Sequence, residues 1–219
     1  MCETFIANHQ FNAINNHAKA VLNAVRNASD RKVVESVKSN AEAEVAGLFP
    51  LATADQLGLL GEISNIRTAE DHVRFARSLE PYLTEFPRIS KDQIAKKLFP
   101  KIKKLKLPDL AAIDYRYVTY LRWLDIAANK LFVVYSLDGK PVGVEGRYTP
   151  TNKKNYCFIC RRYGELAFFS ATTKKRPANS SPDYYKAVGN YLCMNGDECN
   201  RHIADTTALE GFIRSTLEE

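Results

Sequence analysis

The sequence predicts an α+β protein in which an N-terminal antiparallel four-helix bundle, residues 1–83, precedes an α/β domain, residues 84–219. Three observations lead to this prediction. Apolar residues recur at helical spacing in the first part of the chain, and runs typical of strands begin near residue 115. Four of the five cysteines lie in the last third, a pattern that stabilises a small domain through a metal ion.

Helical periodicity and capping signals define the N-terminal part. Two apolar stripes, in residues 5–25 and 33–48, predict two long helices. Two more helices begin at capping boxes, which are Thr53-x-x-Gln56 and Thr68-x-x-Asp71. Because short connections join these four amphipathic helices, we expect an antiparallel bundle.

A stretch from Pro81 to Ser90 has the composition of a linker and sets the predicted domain boundary. After it, lysines alternate with apolar residues between Lys96 and Leu107. This pattern is typical of the solvated face of an amphipathic segment. As a group, the lysines also suit an anionic partner, with an attraction that salt screens.

Extended runs then predict a small antiparallel sheet. An aromatic run covers residues 115–124, and Asp138-Gly139 is a hairpin signal between two later strands. Further strands are predicted at 166–170 and 188–192. The pattern Thr207-x-x-Glu210 predicts the cap of a C-terminal helix.

The spacings Cys157-x2-Cys160 and Cys193-x5-Cys199 predict one zinc ion held by four thiolates. A filled shell of four cysteines leaves no position for water or substrate, so the predicted zinc is structural. His202 is a minority alternative to Cys199 as the fourth ligand.

Disulfide formation and redox activity are the two other possible roles for the cysteines. Disulfides need an oxidising compartment, but the chain begins Met1-Cys2-Glu3 without the basic and apolar regions of a secretion signal, so we expect a cytoplasmic protein. A redox Cys-x-x-Cys needs no second pair. Zinc is therefore favoured.

The composition predicts a globular protein with an acidic partner. The net charge is +6 and the isoelectric point is about 9.0, which favours either nucleic acid or an acidic protein surface. No apolar run reaches the ~18 residues of a membrane span, so no membrane association is expected.

The order of these elements is the layout of a treble-clef zinc finger: the knuckle Cys157–Cys160, strands, then Cys193 and Cys199 entering a helix. Behind an N-terminal helical bundle, this layout resembles the FusB-type elongation factor G-binding proteins that confer fusidic acid resistance. The resemblance covers most of the chain in architecture, but its specific motifs lie in the last third.

The resemblance implies that the zinc-bearing domain binds translation elongation factor G. The protein would then help the factor to leave a ribosome on which fusidic acid has stalled it, in drug resistance or in translation rescue. The expected partners are elongation factor G and the ribosome-associated complex, and we expect a monomer.

Aromatic and cationic side chains on a rigid, metal-fixed frame are candidates for partner contact. Phe158 lies between two ligands, so we expect its ring to point towards the surface. The alternative is a core position, which the helical spacing of Phe212 with Leu209 and Ile213 favours for Phe212. The predicted contact residues are Phe158, Tyr184, Tyr185, Lys186 and Phe212.

No phosphate-binding loop, zinc-protease helix or esterase elbow occurs in the sequence, so we expect neither an enzyme nor a small-molecule substrate. The main alternative function is a zinc-stabilised module that binds ribosomal RNA. The isoelectric point, the lysine segment and Lys174-Lys175-Arg176 favour it. Steeply salt-dependent binding to naked RNA would support that alternative, whereas binding to isolated elongation factor G would support the protein partner.

Overall fold

The computed structural model describes residues 3–173 and 186–217. The chain divides into two compact units, Met1–Thr84 and Glu85–Glu219. The first unit is helical, and the second is built on an antiparallel sheet. The predicted α+β class is therefore confirmed.

Four α-helices form the first unit: α1 Asn8–Asn27, α2 Arg31–Gly47, α3 Ala54–Gly61 and α4 Ala69–Leu79. α1 packs against α2 and α4, and α2 packs against α3. α3 has 8 residues and continues into a 3-10 turn, Glu62–Asn65. Because α3 is so short, the regular antiparallel four-helix bundle is not confirmed, although the helices are.

The predicted capping boxes begin α3 and α4. Thr53 Oγ1 accepts from the Gln56 N–H at 3.3 Å, and Gln56 Oε1 accepts from the Thr53 N–H at 2.9 Å. Thr68 and Asp71 exchange the same two bonds at 3.1 and 3.0 Å. Each box satisfies backbone donors that have no partner inside the helix.

The predicted linker, Pro81 to Ser90, is packed rather than free. Leu83 is buried and bridges Ile6 in the first unit. Phe86 is buried in the second unit, where its N–H donates to the Tyr115 carbonyl at 2.8 Å. Each end of the stretch thus belongs to a different unit.

Independent folding of the two units remains a prediction. We expect residues 1–84 and 85–219, expressed separately, each to unfold cooperatively, the second in the presence of zinc. Limited proteolysis should cut between Pro81 and Ser90, where Thr84 and Glu85 are exposed. Circular dichroism during heating measures the unfolding of each fragment.

A fragment of residues 1–70 is the control, because it lacks the buried Phe75 and Leu79 of α4. We expect it to lose cooperative unfolding. An unfolded 1–84 fragment would contradict the prediction of separate domains.

The described part of the second unit contains five strands, each antiparallel to its neighbours in the order β1 to β5. They are β1 Leu121–Asp125, β2 Lys130–Leu137, β3 Lys140–Tyr156, β4 Tyr163–Thr172 and β5 Ala187–Cys193. The predicted hairpin joins β2 to β3, with Asp138 at φ 48° and Gly139 at φ 74°. Positive φ at both positions is typical of a type I′ turn.

The segment before the sheet differs from the prediction. The extended run expected from residue 115 begins only at Leu121, because Tyr115–Tyr117 form a 3-10 turn capped by Asp114. The segment contains α5, Lys91–Gln93, which continues as a π turn, Ile94–Leu98. Its Phe99 packs edge-on against Trp123 and Phe132, with ring centroids 5.8 and 5.1 Å away.

Two helices follow the sheet: α6 Gly196–Asn200 and α7 Thr207–Leu217. Phe212 and Ile213 of α7 belong to a buried apolar cluster with residues from β2, β4 and β5 and with Cys157 and Cys199. No helix in the described residues is long and apolar enough to cross a membrane.

Candidate metal centre

The structure brings the four predicted ligands together. The sulfur atoms of Cys157, Cys160, Cys193 and Cys199 all lie within 4.8 Å of one another. The Cys157 and Cys199 sulfurs are 3.8 Å apart, and the Cys160 and Cys193 sulfurs are 3.5 Å apart. Zinc–sulfur bonds of about 2.3 Å in a tetrahedron place sulfurs roughly 3.8 Å apart, so the cluster fits zinc.

The same distances exclude disulfides among these four residues, because bonded sulfurs lie about 2.05 Å apart. All four cysteines are free. The minority alternative, His202 as a ligand, is not supported. Its Nδ1 contacts the Glu198 carbonyl and its Nε2 contacts Arg162.

Three local structures position the cysteines. Cys157 directly follows β3, and its N–H donates to the Arg162 carbonyl while its carbonyl accepts from the Arg161 N–H, both at 2.9 Å. Arg161 has φ 59°, which closes this tight turn. Cys193 ends β5, and Cys199 lies in α6. The turn between β3 and β4 therefore supplies Cys157 and Cys160. The end of β5 and helix α6 supply the other two ligands.

Because the sulfurs lie so close together, each thiol affects the pKa values of its neighbours. Hydrogen bonding by the Cys160 and Cys193 thiols lowers the pKa of Cys157, and the hydrogen bond with Cys157 raises the pKa of Cys199. Four thiolates cannot share this volume unless a cation balances their charge, as a divalent zinc ion does.

Comparisons with known proteins agree with this geometry. Residues 5–87 match the family model "Elongation factor G-binding protein, N-terminal", and residues 98–215 match "FBP C-terminal treble-clef zinc-finger". The chain belongs to the elongation factor G-binding protein family. The treble clef and its one structural zinc site are thereby confirmed.

One solved structure resembles the chain over both units. The chain is similar to the fusidic acid resistance protein FusC at 26% sequence identity and a TM-score of 0.80, covering 95% of each chain. Comparison with curated proteins gives no significant match.

The predicted contact residues of this family member lie in different environments. Phe158 and Phe212 are only 9% and 7% exposed, and their ring centroids are 5.4 Å apart. The expectation that the Phe158 ring points outward is wrong, because α7 covers it. Lys186 is exposed. Tyr184 and Tyr185 lie outside the described residues.

The sequence did not indicate two exposed aromatic pairs on the sheet. Phe168 and Tyr191 face each other across β4 and β5 with ring centroids 5.1 Å apart, and Tyr191 is 49% exposed. Tyr156 and Tyr163 form another pair at 5.4 Å. Strand alternation could have suggested that Tyr191 and the buried Leu192 face opposite sides of the sheet.

The sequence also did not indicate two polar residues whose hydrogen bonds fix the segments next to Cys193 and Cys199. The Arg122 guanidinium donates to the carbonyls of Cys193 and Met194 at 2.6 and 3.1 Å. A Cβ on Gly196 would lie 2.6 Å from the Arg122 side chain, so the missing side chain leaves room for this contact. Asn200 is buried and binds the backbone of residues 119 and 120. No sequence motif relates such distant positions.

Proposed function

We propose that this protein binds elongation factor G and promotes its release from fusidic acid-stalled ribosomes. The observation that carries the proposal is the match of both units to the elongation factor G-binding family, together with the similarity to FusC over 95% of each chain. The protein acts as a cytoplasmic monomer on the ribosome-associated complex and performs no chemistry.

Release of elongation factor G by binding alone requires that the protein bind two conformations of the factor with different affinities. A binder removes a trapped factor only if it stabilises a conformation of the factor that holds the ribosome less well. A closed four-cysteine zinc site suits this role, because it holds a binding surface rigid without offering an open coordination position.

The exposed residues of the zinc-bearing unit supply the proposed contact surface. Burial of Phe158 and Phe212 leaves Lys186 as the exposed member of the predicted set within the described residues. The backbone carbonyl of Lys186 accepts from the Thr173 N–H at 2.8 Å, which fixes the start of β5. We add Phe168 and Tyr191, which pair across β4 and β5, as aromatic anchors of the proposed contact, and Tyr184 and Tyr185 remain proposed contacts.

Titration calorimetry with purified elongation factor G tests this proposal. We expect binding without ribosomes, and we expect the Lys186→Ala, Tyr191→Ala double variant to raise Kd at least tenfold, about 1.4 kcal/mol. Lys140→Ala is the matched control, because Lys140 is an exposed cation at the β2–β3 hairpin. No binding of the zinc-loaded protein at tens of micromolar would overturn the proposal.

A second candidate, RNA binding, is favoured by one groove in the zinc-bearing unit. The groove has a volume of about 990 Å³. Among the described residues, its lining includes one carboxylate, Glu145, which pairs with Lys130 at 3.6 Å. Its cations are Lys97, Lys101, Lys130, Arg147 and Lys186. This excess of positive charge suits a phosphate backbone.

Variants at Lys101 and Arg147 distinguish the two candidate functions. Both residues line the groove, and neither belongs to the proposed contact surface for elongation factor G. If RNA is the partner, the Lys101→Ala, Arg147→Ala double variant should weaken RNA binding and reduce its salt dependence. If elongation factor G is the partner through the aromatic surface, this variant should keep its affinity for the factor.

A further inference from the structure

Tyr120 places a buried hydroxyl in the apolar cluster that also holds the metal ligands Cys157 and Cys199. Tyr120 is fully buried just before β1, and its hydroxyl makes no hydrogen bond within the described part of the chain. Because buried polar groups are almost always hydrogen-bonded, the absence of a partner calls for a physical explanation.

Asn200 holds Tyr120 in this position. The Asn200 Oδ1 accepts from the N–H groups of Thr119 and Tyr120 at 2.7 and 3.2 Å, and its Nδ2 donates to the Tyr120 carbonyl at 3.0 Å. Asn200 directly follows the ligand Cys199 in α6. The clamp therefore ties the backbone of Tyr120 to the helix that carries the ligand.

The Cys199 thiolate is a suitable acceptor for this hydroxyl. Four thiolates on one zinc ion leave a net charge of about −2, so the sulfurs still accept hydrogen bonds. Cys199 is 0% exposed, which excludes solvent as the donor. Tyr120 is 0% exposed, and burial disfavours a charged phenolate, so the neutral hydroxyl is the donor.

We propose that Tyr120 is a positioning residue of the zinc site, whose hydroxyl donates a hydrogen bond to the Cys199 thiolate. The bond orients this ligand, disperses part of its negative charge and slows loss of the metal. Tyr120 thereby connects the zinc site to the start of β1. The sequence does not indicate this connection, because Tyr120 and Cys199 are far apart along the chain.

The test compares Tyr120→Phe with Tyr135→Phe in the full chain. Tyr135 is the matched control because it lies in the same apolar cluster, but its hydroxyl donates to Glu210 Oε1 at 2.6 Å. We expect Tyr120→Phe to weaken zinc affinity about tenfold in competition with a chelator, within the range found for outer-shell partners of metal ligands. Tyr135→Phe should leave the affinity unchanged.

A spectroscopic readout separates positioning from general stability. In cobalt-substituted protein, Tyr120→Phe should shift the thiolate-to-metal charge-transfer band, whereas Tyr135→Phe should not. Equal zinc affinity and an unshifted band in a folded Tyr120→Phe variant would overturn the proposal. Metal analysis of the wild-type protein tests the zinc site on its own.

Nuclear magnetic resonance of cadmium-substituted wild-type protein tests the same bond without any variant. A slowly exchanging Tyr120 hydroxyl proton that couples to cadmium through the Cys199 sulfur would support it. A hydroxyl proton that exchanges rapidly and shows no coupling would overturn it.

Discussion

Replacing Cys199 with serine is expected to abolish zinc binding and to unfold the unit Glu85–Glu219, while the helical unit stays folded. Cys199 and Cys157 are both 0% exposed, so loss of the metal removes the bonds that hold the knuckle and α6 together inside the apolar cluster. Structural zinc contributes roughly 10–16 kcal/mol in small zinc domains, as much as or more than the typical 5–15 kcal/mol stability of a whole protein. The expected loss is therefore larger than the unit can tolerate.

Metal analysis and circular dichroism measure this outcome. We expect one zinc ion per chain in the wild-type protein and almost none in the variant, with the strand signal lost and the helix signal of α1 to α4 retained. Cys2→Ser is the control, because it removes the cysteine that lies outside the predicted ligand set. A fully folded Cys199→Ser protein without zinc would show that the metal is dispensable.

Replacing Phe158 with alanine is expected to destabilise the zinc-bearing unit by about 3–5 kcal/mol, the usual cost of truncating a buried phenylalanine. Phe158 is 9% exposed and packs on Phe212, which in turn packs on Phe169 at 5.4 Å. Truncation would open a cavity between the zinc knuckle and α7. Urea unfolding of the zinc-loaded protein measures the free energy of unfolding.

Tyr191→Ala is the matched control for this prediction. Tyr191 is 49% exposed, so its truncation should cost less than about 1 kcal/mol of stability while weakening binding of elongation factor G. If Phe158→Ala instead keeps its stability and loses only binding, then the ring acts at the interface. That result would contradict its placement in the core.

The sequence was informative where the interactions are local. The Cys157–Cys160 knuckle, the capping boxes at Thr53 and Thr68, and the Asp138-Gly139 turn each depend on residues within a few positions of one another. Residue type and spacing then determine the local geometry almost by themselves. For this reason the zinc ligands and the starts of α3 and α4 could be predicted.

The sequence was misleading where another element decides whether a residue is exposed. Phe158 was expected at the surface because of its place in the knuckle, but α7, more than 40 residues later, covers it. The aromatic run from Tyr115 was expected to be extended, but Asp114 caps a 3-10 turn there. Periodicity reports the face on which a residue lies, and it does not report what packs against that face.

The sequence by itself determined the four-cysteine ligand set, the order of helices before strands, and the resemblance to the elongation factor G-binding family, because these depend on local spacing and on the order of elements. Only the tertiary structure decided which aromatic rings are buried, that Asn200 clamps residues 119 and 120, and that Tyr120 lies in the same apolar cluster as Cys199. These contacts join positions about 80 residues apart. Such pairs meet only when the sheet and its covering helices pack together to bury their apolar faces.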